Sequence, residues 1–138
     1  MNLTGALLCG VEAVKRMQTD RGGAGGAIVN VSSRAASFGS PNEYIDYAAT
    51  KGAIDTFTVG LATEVGDKGI RVNAVRPGLI ETEIHASAGA PDRVQQYAAS
   101  IPLRRGGTAP EVAASIAWLL SDEASYVTGA LLDVGGGR

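Results

Sequence analysis

Apolar residues follow two kinds of pattern in this chain. Segments with the spacing of amphipathic helices alternate with short runs typical of buried strands. Near the N-terminus, apolar side chains three to four residues apart form one helical stripe: Leu3, Leu7, Val11, Val14 and Met17. The glycine-rich run at 21–26 ends this helix. Residues 27–31 (A-I-V-N-V) are a short β-branched run, which predicts a first buried strand.

The middle of the chain predicts a long helix and a second strand. Residues 40–43 (S-P-N-E) form a capping-box pattern with proline at the first helical position. We expect the helix to run from there to about Lys68, where Gly69 supplies a left-handed stop. Residues 70–75 (I-R-V-N-A-V) predict the second strand, which Pro77 and Gly78 end.

The last third predicts one more helix and one more strand. Residues 82–107 are irregular, with a short helix expected at 92–99. A second capping box, T-A-P-E at 108–111, begins a helix with one apolar side made by Val112, Ile116, Leu119 and Leu120. Residues 130–134 (A-L-L-D-V) predict the third strand, and three glycines follow it.

Alternation of helices and strands predicts an α/β fold, with a parallel sheet and right-handed crossovers in a doubly wound, Rossmann-like arrangement. The 138 residues suffice for one domain. Three strands are few for a sheet that buries both faces, and one edge would stand open. The sequence therefore indicates an incomplete sheet whose neighbouring strands are missing.

Composition and charge exclude several classes of function. The formal net charge is −2 and the basic residues are scattered, so we expect no nucleic-acid partner. No apolar run approaches the roughly 18 residues of a membrane span, and no signal-peptide pattern is present. The single cysteine, Cys9, cannot form an internal disulfide and suits a reducing cytosol, so we expect a cytoplasmic protein.

The residues with the strongest chemical potential are Ser33, Tyr47 and Lys51. Tyr47 and Lys51 lie four residues apart on the predicted long helix and share one face. A phenol is a weak base because its pKa is normally about 10, and a nearby ammonium favours the phenolate. Ser33 follows the first strand, at the edge of the sheet where α/β proteins bind ligands. A Y-x-x-x-K pair by itself is also common on solvated helices.

Two further features point to the same edge. Residues 77–82 (P-G-L-I-E-T) follow the second strand, and their backbone groups and the Thr82 hydroxyl could bind an amide or a phosphate. The same residues could form a plain turn. Asn2 directly precedes the first helix, where its ordinary role is that of an N-cap.

Five segments of the sequence, in this order, resemble motifs of the short-chain dehydrogenase/reductase family. They are N-L-T-G, I-V-N-V-S-S, Y-A-A-T-K, V-N-A-V-R-P-G-L-I-E-T and Y-V-T-G. The chain is most similar to the "classical" subgroup, which includes sugar dehydrogenases and ketoacyl-carrier-protein reductases. The resemblance covers the whole chain and implies its C-terminal, catalytic portion. It also implies an enzyme that transfers hydride between NAD or NADP and a small alcohol or carbonyl substrate.

The resemblance implies a role for each matched residue. Tyr47 would be the catalytic acid/base, and Lys51 would bind the nicotinamide ribose and lower the pKa of the tyrosine. Ser33 would hold the substrate oxygen, with Ser32 as a weaker candidate. Asn2 would hold a water molecule of the proton relay. The residues implied to contact the nicotinamide are Pro77, Gly78, Ile80 and Thr82, and Asn73 matches a structural asparagine.

Some of the family's motifs are absent from the sequence. The phosphate-binding loop T-G-x-x-x-G-x-G and the N-N-A-G strand do not occur, and the run at 22–26 follows a helix instead of a strand. The choice between NAD and NADP therefore has no visible determinant. The alternative function is an inactive, truncated chain that only self-associates.

The remaining candidates carry less information. His85 lies in the expected substrate loop, Arg104 and Arg105 are expected at the surface, and no ligand cluster indicates a metal site. The resemblance implies a dimer or tetramer in which the first helix and the Tyr47 helix meet their copies. Small residues on these helices fit a close approach, although they could instead pack within one subunit: Ala6, Gly10, Ala13, Gly52, Gly60 and Ala62.

Overall fold

The computed structural model describes residues 2–83 and 89–138, and of Asn2 it describes the backbone only. The helices are α1 (Asn2–Met17), α2 (Ala35–Phe38), α3 (Ile45–Val65), α4 (Arg93–Ala98) and α5 (Ala109–Leu120). The strands are β1 (Gly26–Val31), β2 (Ile70–Pro77), β3 (Ile80–Glu81), β4 (Gly107–Thr108) and β5 (Leu131–Val134). Single 3₁₀ turns lie at Thr19–Arg21, Gly66–Lys68 and Asp122–Ala124.

All three predicted strands form one parallel sheet in the order β1-β2-β5, which confirms the α/β fold. The central strand, β2, aligns Val72 with Ile28 of β1 and Val75 with Leu132 of β5. Among the described residues β1 pairs only with β2, and Val31 at its carboxyl end is 50% exposed. The central strand carries the buried core, while the carboxyl ends of β1 and β2 open onto a cavity.

The core lies between the second half of α3 and β2. Its buried members are Leu61, Ala62, Val65, Ile70 and Val72. Helix α1 packs against this core closely enough that a Cβ at Gly10 would lie 2.9 Å from the Phe57 ring. Gly10 and the buried Ala62 therefore serve packing within the chain, whereas Gly52 and Gly60 face open space.

One predicted helix boundary is wrong. The S-P-N-E pattern does not begin α3, which starts at Ile45. Ser40 and Asn42 have φ values of 44° and 62°, in the left-handed region, so the chain cannot be helical there. The Glu43 carboxylate is not an N-terminal cap either, because it accepts hydrogen bonds from Arg93 and Tyr97 of α4.

The other predicted helix signals are confirmed. Gly69 has a φ of 75° and terminates the 3₁₀ turn that follows α3. At α5 the Glu111 carboxylate accepts a hydrogen bond from the Thr108 amide at 2.8 Å, as a capping box requires. The short helix expected near 92–99 is α4. None of the described helices combines the length and the apolar character that a membrane span requires.

Candidate active site

The carboxyl ends of β1 and β2 and the first turns of α3 enclose a cavity of about 850 Å³. Ser33, Tyr47 and Lys51 all line it, although they come from two separate elements. The predicted segment at the end of β2 also lines it, through Pro77, Gly78, Ile80 and Thr82. The side chain of Asn2 and the whole of His85 lie outside the described residues.

Lys51 is held by the end of β1. Its Nζ donates a hydrogen bond to the carbonyl oxygen of Val31 at 2.8 Å, and it lies 5.6 Å from the centroid of the Tyr47 ring. Burial lowers the pKa of Lys51, and the negative charge of Asp55 opposes that decrease. The lysine is thus half-buried, fixed by one bond and adjacent to the phenol.

Tyr47 lies one helical turn before Lys51, and 36% of its surface is exposed. The ring borders the cavity, so a ligand there could reach the phenol oxygen. Tyr44, one turn earlier, also lines the cavity but is stacked against the guanidinium of Arg93 at 5.5 Å. The two tyrosines share the wall but have different neighbours.

Ser32 and Ser33 have different hydrogen-bond partners. The Ser32 hydroxyl is buried and donates to the Lys51 carbonyl oxygen at 3.2 Å, which ties β1 to α3. The Ser33 hydroxyl oxygen accepts the Ala35 amide at 3.1 Å. That bond fixes the oxygen of Ser33 and leaves its proton free to be donated into the cavity.

The turn after β2 approaches the glycines after β5 very closely. The Gly78 amide donates to the Val134 carbonyl oxygen at 3.0 Å, and a Cβ at Gly78 would lie 2.8 Å from the Cα of Gly135. Glycine is required there because any side chain would displace the neighbouring backbone. Strands β3 and β4, which were not predicted, pair Ile80 with Gly107 and fix the rest of this wall.

A network of charges at the carboxyl ends of β2 and β5 was also missed by sequence reasoning. Arg76, at the end of β2, donates from Nε to Asp133 at 2.6 Å and lies 3.6 Å from the carboxylate of Asp55. Asp133 also pairs with Arg34, which directly follows Ser33. The available signal was a pair of opposite charges, Arg76 and Asp133, at the ends of two otherwise apolar strands.

Asn73 has the structural role that was expected of it. The Asn73 side chain is fully buried, donates to the Val127 carbonyl oxygen at 2.8 Å and accepts the Ala130 amide at 2.9 Å. It therefore ties β2 to the segment before β5.

Within the described ranges, no three side chains of histidine, cysteine, aspartate or glutamate are grouped to hold a metal ion.

Comparison with known proteins gives consistent matches over the whole chain. The family model described as "Enoyl-(Acyl carrier protein) reductase" matches residues 1–138. "Uncharacterized oxidoreductase YgfF" of Escherichia coli K12 is 63% identical over 99% of this chain and 56% of its own length. "Glucose 1-dehydrogenase 2" of Bacillus subtilis 168 is 40% identical over 99% of this chain and 52% of its own length.

Solved structures of the same family superpose on this chain. A short-chain type dehydrogenase/reductase from Mycobacterium ulcerans superposes with a TM-score of 0.85 at 36% identity, covering 99% of this chain and 48% of that one. The structure titled "ElxO with NADP Bound" has a TM-score of 0.84 at 35% identity, covering 99% and 54%. The chain spans about half the length of the curated relatives it matches. From the family-model match, the relatives and the superposed structures, this chain belongs to the short-chain dehydrogenase/reductase family.

Proposed function

We propose that the protein containing this chain is an oxidoreductase that transfers hydride between NAD or NADP and an alcohol or carbonyl compound. The observation that carries the proposal is the meeting of Ser33, Tyr47 and Lys51 at one cavity. The chain would supply the catalytic portion of a single Rossmann-fold domain. The nucleotide-binding portion, with its glycine-rich loop, is absent from these 138 residues.

The proposed roles follow from what each group can donate. Tyr47 is the acid/base, because its phenol borders the cavity and can exchange a proton with a substrate oxygen. Ser33 can donate its hydroxyl proton to the same oxygen while its own oxygen accepts the Ala35 amide. Lys51 places its charge beside the phenol and offers its remaining protons to a ribose hydroxyl. Asn2 keeps its proposed role of holding a water molecule.

The described wall of the cavity fits the nicotinamide end of the cofactor. The turn at Gly78, where only glycine fits, brings the backbone close to the cavity. Ile80 offers an apolar surface there, and Thr82 offers a hydroxyl. With Pro77, these residues would hold the nicotinamide ring and its amide. NAD(P), when bound, supplies or accepts the hydride. The pyrophosphate would need a helix N-terminus that this chain does not contribute.

For the substrate we propose a sugar-like alcohol or a ketoacyl compound. The cavity is lined by apolar side chains, including Phe38, Leu79 and Ala90, as well as by charged ones such as Glu43 and Arg93. Such a wall suits an aliphatic chain or the carbon face of a ring. The B. subtilis relative is named a glucose 1-dehydrogenase, which supports the first class.

The function is tested on the purified protein as the cell produces it. Reduced and oxidised NAD and NADP are supplied in turn with a panel of ketones, ketoacyl thioesters, sugars and sugar alcohols. We expect nicotinamide absorbance to change only when a carbonyl or alcohol is present, with one product formed per cofactor consumed. Absence of turnover with every pair, in protein that is folded by circular dichroism, would contradict the proposal.

The second candidate is an inactive chain that only self-associates, and an exposed apolar surface favours association. On α1, Leu8 is 63% and Val11 46% exposed, and on α3 Val59 is 44% exposed beside the open Gly60. We propose that this face pairs with its copy in a dimer or tetramer, whether or not the protein is active. Light scattering tests it: Leu8→Glu should dissociate the assembly, and a monodisperse wild-type monomer would contradict it.

We also propose a cytoplasmic location. The single cysteine, Cys9, is exposed and free, which suits a reducing compartment. Fractionation of producing cells would test it, and recovery of the protein outside the cytoplasmic fraction would contradict it.

A further inference from the structure

Asp55 is a buried carboxylate that no role described so far explains. It lies on α3 one helical turn after Lys51, and only 9% of its surface is exposed. Its Oδ1 is buried and has no hydrogen-bond partner among the described residues. Burial of an ionised group without partners is costly, so an aspartate at this position calls for a function.

Pairing with Arg76 accounts for only part of this burial. The Arg76–Asp55 separation is 3.6 Å, too long for a hydrogen bond. Arg76 directs its Nε instead to Asp133 at 2.6 Å, and Asp133 is also bonded to Arg34. The carboxylate of Asp55 is therefore incompletely neutralised on the strand side.

On its own helix, Asp55 faces the Lys51 side of α3. Residues four apart share a helix face, so Tyr47, Lys51 and Asp55 lie in one row along α3. From the end of β1, the Val31 carbonyl oxygen accepts a hydrogen bond from the ammonium. From β2, Arg76 lies 3.6 Å from the Asp55 carboxylate and pairs with Asp133 of β5, which also pairs with Arg34 after β1. Asp55 is thus the carboxylate that follows Lys51 in this row of α3.

We propose that Asp55 is a positioning residue that keeps the Lys51 ammonium charged beside Tyr47. The inference rests on the role proposed for Lys51 in catalysis. Half-burial of Lys51 opposes its charge, and a carboxylate one turn away on the same face compensates for that cost. The burial-driven decrease and the opposing effect of Asp55 on the pKa of Lys51 agree with this placement.

The test reads the charge of Lys51 directly by nuclear magnetic resonance. Lysine isotope-labelled at Cε is incorporated into the protein, and each signal is followed from neutral to alkaline pH. This chain has three lysines, Lys15, Lys51 and Lys68, and Lys51→Arg identifies the signal of interest. Asp55→Asn preserves shape and removes the charge. We expect the Lys51 midpoint to fall, while Lys15 and Lys68 stay unchanged.

The direction of the shift separates electrostatics from loosened packing. Loosening would hydrate Lys51 and raise its midpoint, so only loss of the Asp55 charge predicts a fall. Glu64→Gln, an exposed charge change further along α3, is the matched control and should leave Lys51 unmoved. An unchanged or raised Lys51 midpoint in Asp55→Asn would overturn the proposal.

A second variant keeps the test decisive if Asp55→Asn does not fold. Asp55→Ser removes the same charge with a smaller polar side chain, so the Lys51 midpoint should again fall. An unchanged or raised midpoint in Asp55→Ser would overturn the proposal. Because the readout is a titration and not turnover, a failure of the proposed enzymatic activity would leave this result unaffected and would be seen separately.

Discussion

The two halves of α3 perform different tasks although they belong to one continuous helix. In the second half, Leu61, Ala62 and Val65 are buried against β2 and form the core. In the first half, Tyr47 is 36% exposed and Lys51 lines a cavity. The second half fixes where the helix lies, and that placement brings the side chains of the first half to the carboxyl ends of β1 and β2.

This division implies that stability and chemistry can be changed independently. Core side chains are stabilised by apolar burial, so their loss acts on unfolding. The cavity side chains Ser33, Tyr47 and Lys51 are partly exposed, and their loss should act on turnover. Substitutions in each half therefore test whether the division is real.

The largest effect should come from Lys51→Ala in the first half. Both proton exchange at Tyr47 and cofactor binding depend on this ammonium, so kcat should fall about 10²–10⁴-fold and the KM for the cofactor should rise. Steady-state kinetics and urea unfolding on the same protein would check it. A large loss of unfolding free energy with normal kinetics would break the division between the halves.

In the second half, Leu61→Ala should destabilise the protein by about 2–5 kcal/mol, because it opens a cavity in a packed core. The activity of the molecules that remain folded should be close to that of wild type. Urea unfolding gives the free energy and active-site titration gives the folded fraction. Glu64→Ala, an exposed position on the same half, should have a far smaller effect.

The adjacent residues Ser32 and Ser33 allow stability and chemistry to be compared at neighbouring positions. Ser33→Ala should lower kcat about 10²–10³-fold, as loss of a donor to a developing oxyanion does, with little change in stability. Ser32→Ala should cost about 1 kcal/mol of stability through loss of the bond to Lys51, with a smaller kinetic effect. The reverse result would move the substrate-binding role from Ser33 to Ser32.

The smallest effect should come from a surface contact outside both halves. The Arg105 side chain and Thr108 hold the pKa of Glu111 down to about 2, so its charge stabilises the folded state. That stabilisation is complete above the ordinary glutamate pKa of about 4.5 and disappears as pH falls through about 2. Glu111→Gln should thus unfold at lower urea than wild type near pH 7 and at the same urea near pH 2.

The exposed Glu123→Gln on the following 3₁₀ turn provides the control for that titration. It changes one charge without removing a cap. Equal effects of the two substitutions at every pH would show that the capping box does not stabilise α5.

Elements with their own local signals could be predicted from the sequence. The β-branched runs mark β1 and β2. The capping box at Thr108 and the left-handed helix stop at Gly69 form their hydrogen bonds with residues within one turn. Motif spacing likewise brought Ser33, Tyr47 and Lys51 together, and the structure places all three at one cavity. Their catalytic roles stay predictions.

Features set by distant contacts could not be predicted. The start of α3 was placed too early because Glu43 bonds to Arg93 and Tyr97, about 50 residues away, instead of capping its own helix. The pairing of β3 with β4 involves two residues on each side and has no pattern of its own. The Arg76–Asp133 network likewise joins strands that only the fold brings together.

The most direct test of the central claim is the turnover of Tyr47→Phe compared with Tyr44→Phe. Both tyrosines line the cavity, and each substitution removes one hydroxyl and keeps the ring. We predict that Tyr47→Phe lowers kcat about 10²–10⁴-fold with cofactor affinity close to normal, while Tyr44→Phe stays within a few-fold of wild type. If Tyr47→Phe retained half of the wild-type kcat, Tyr47 would not be the acid/base and the account of the first half of α3 would be wrong.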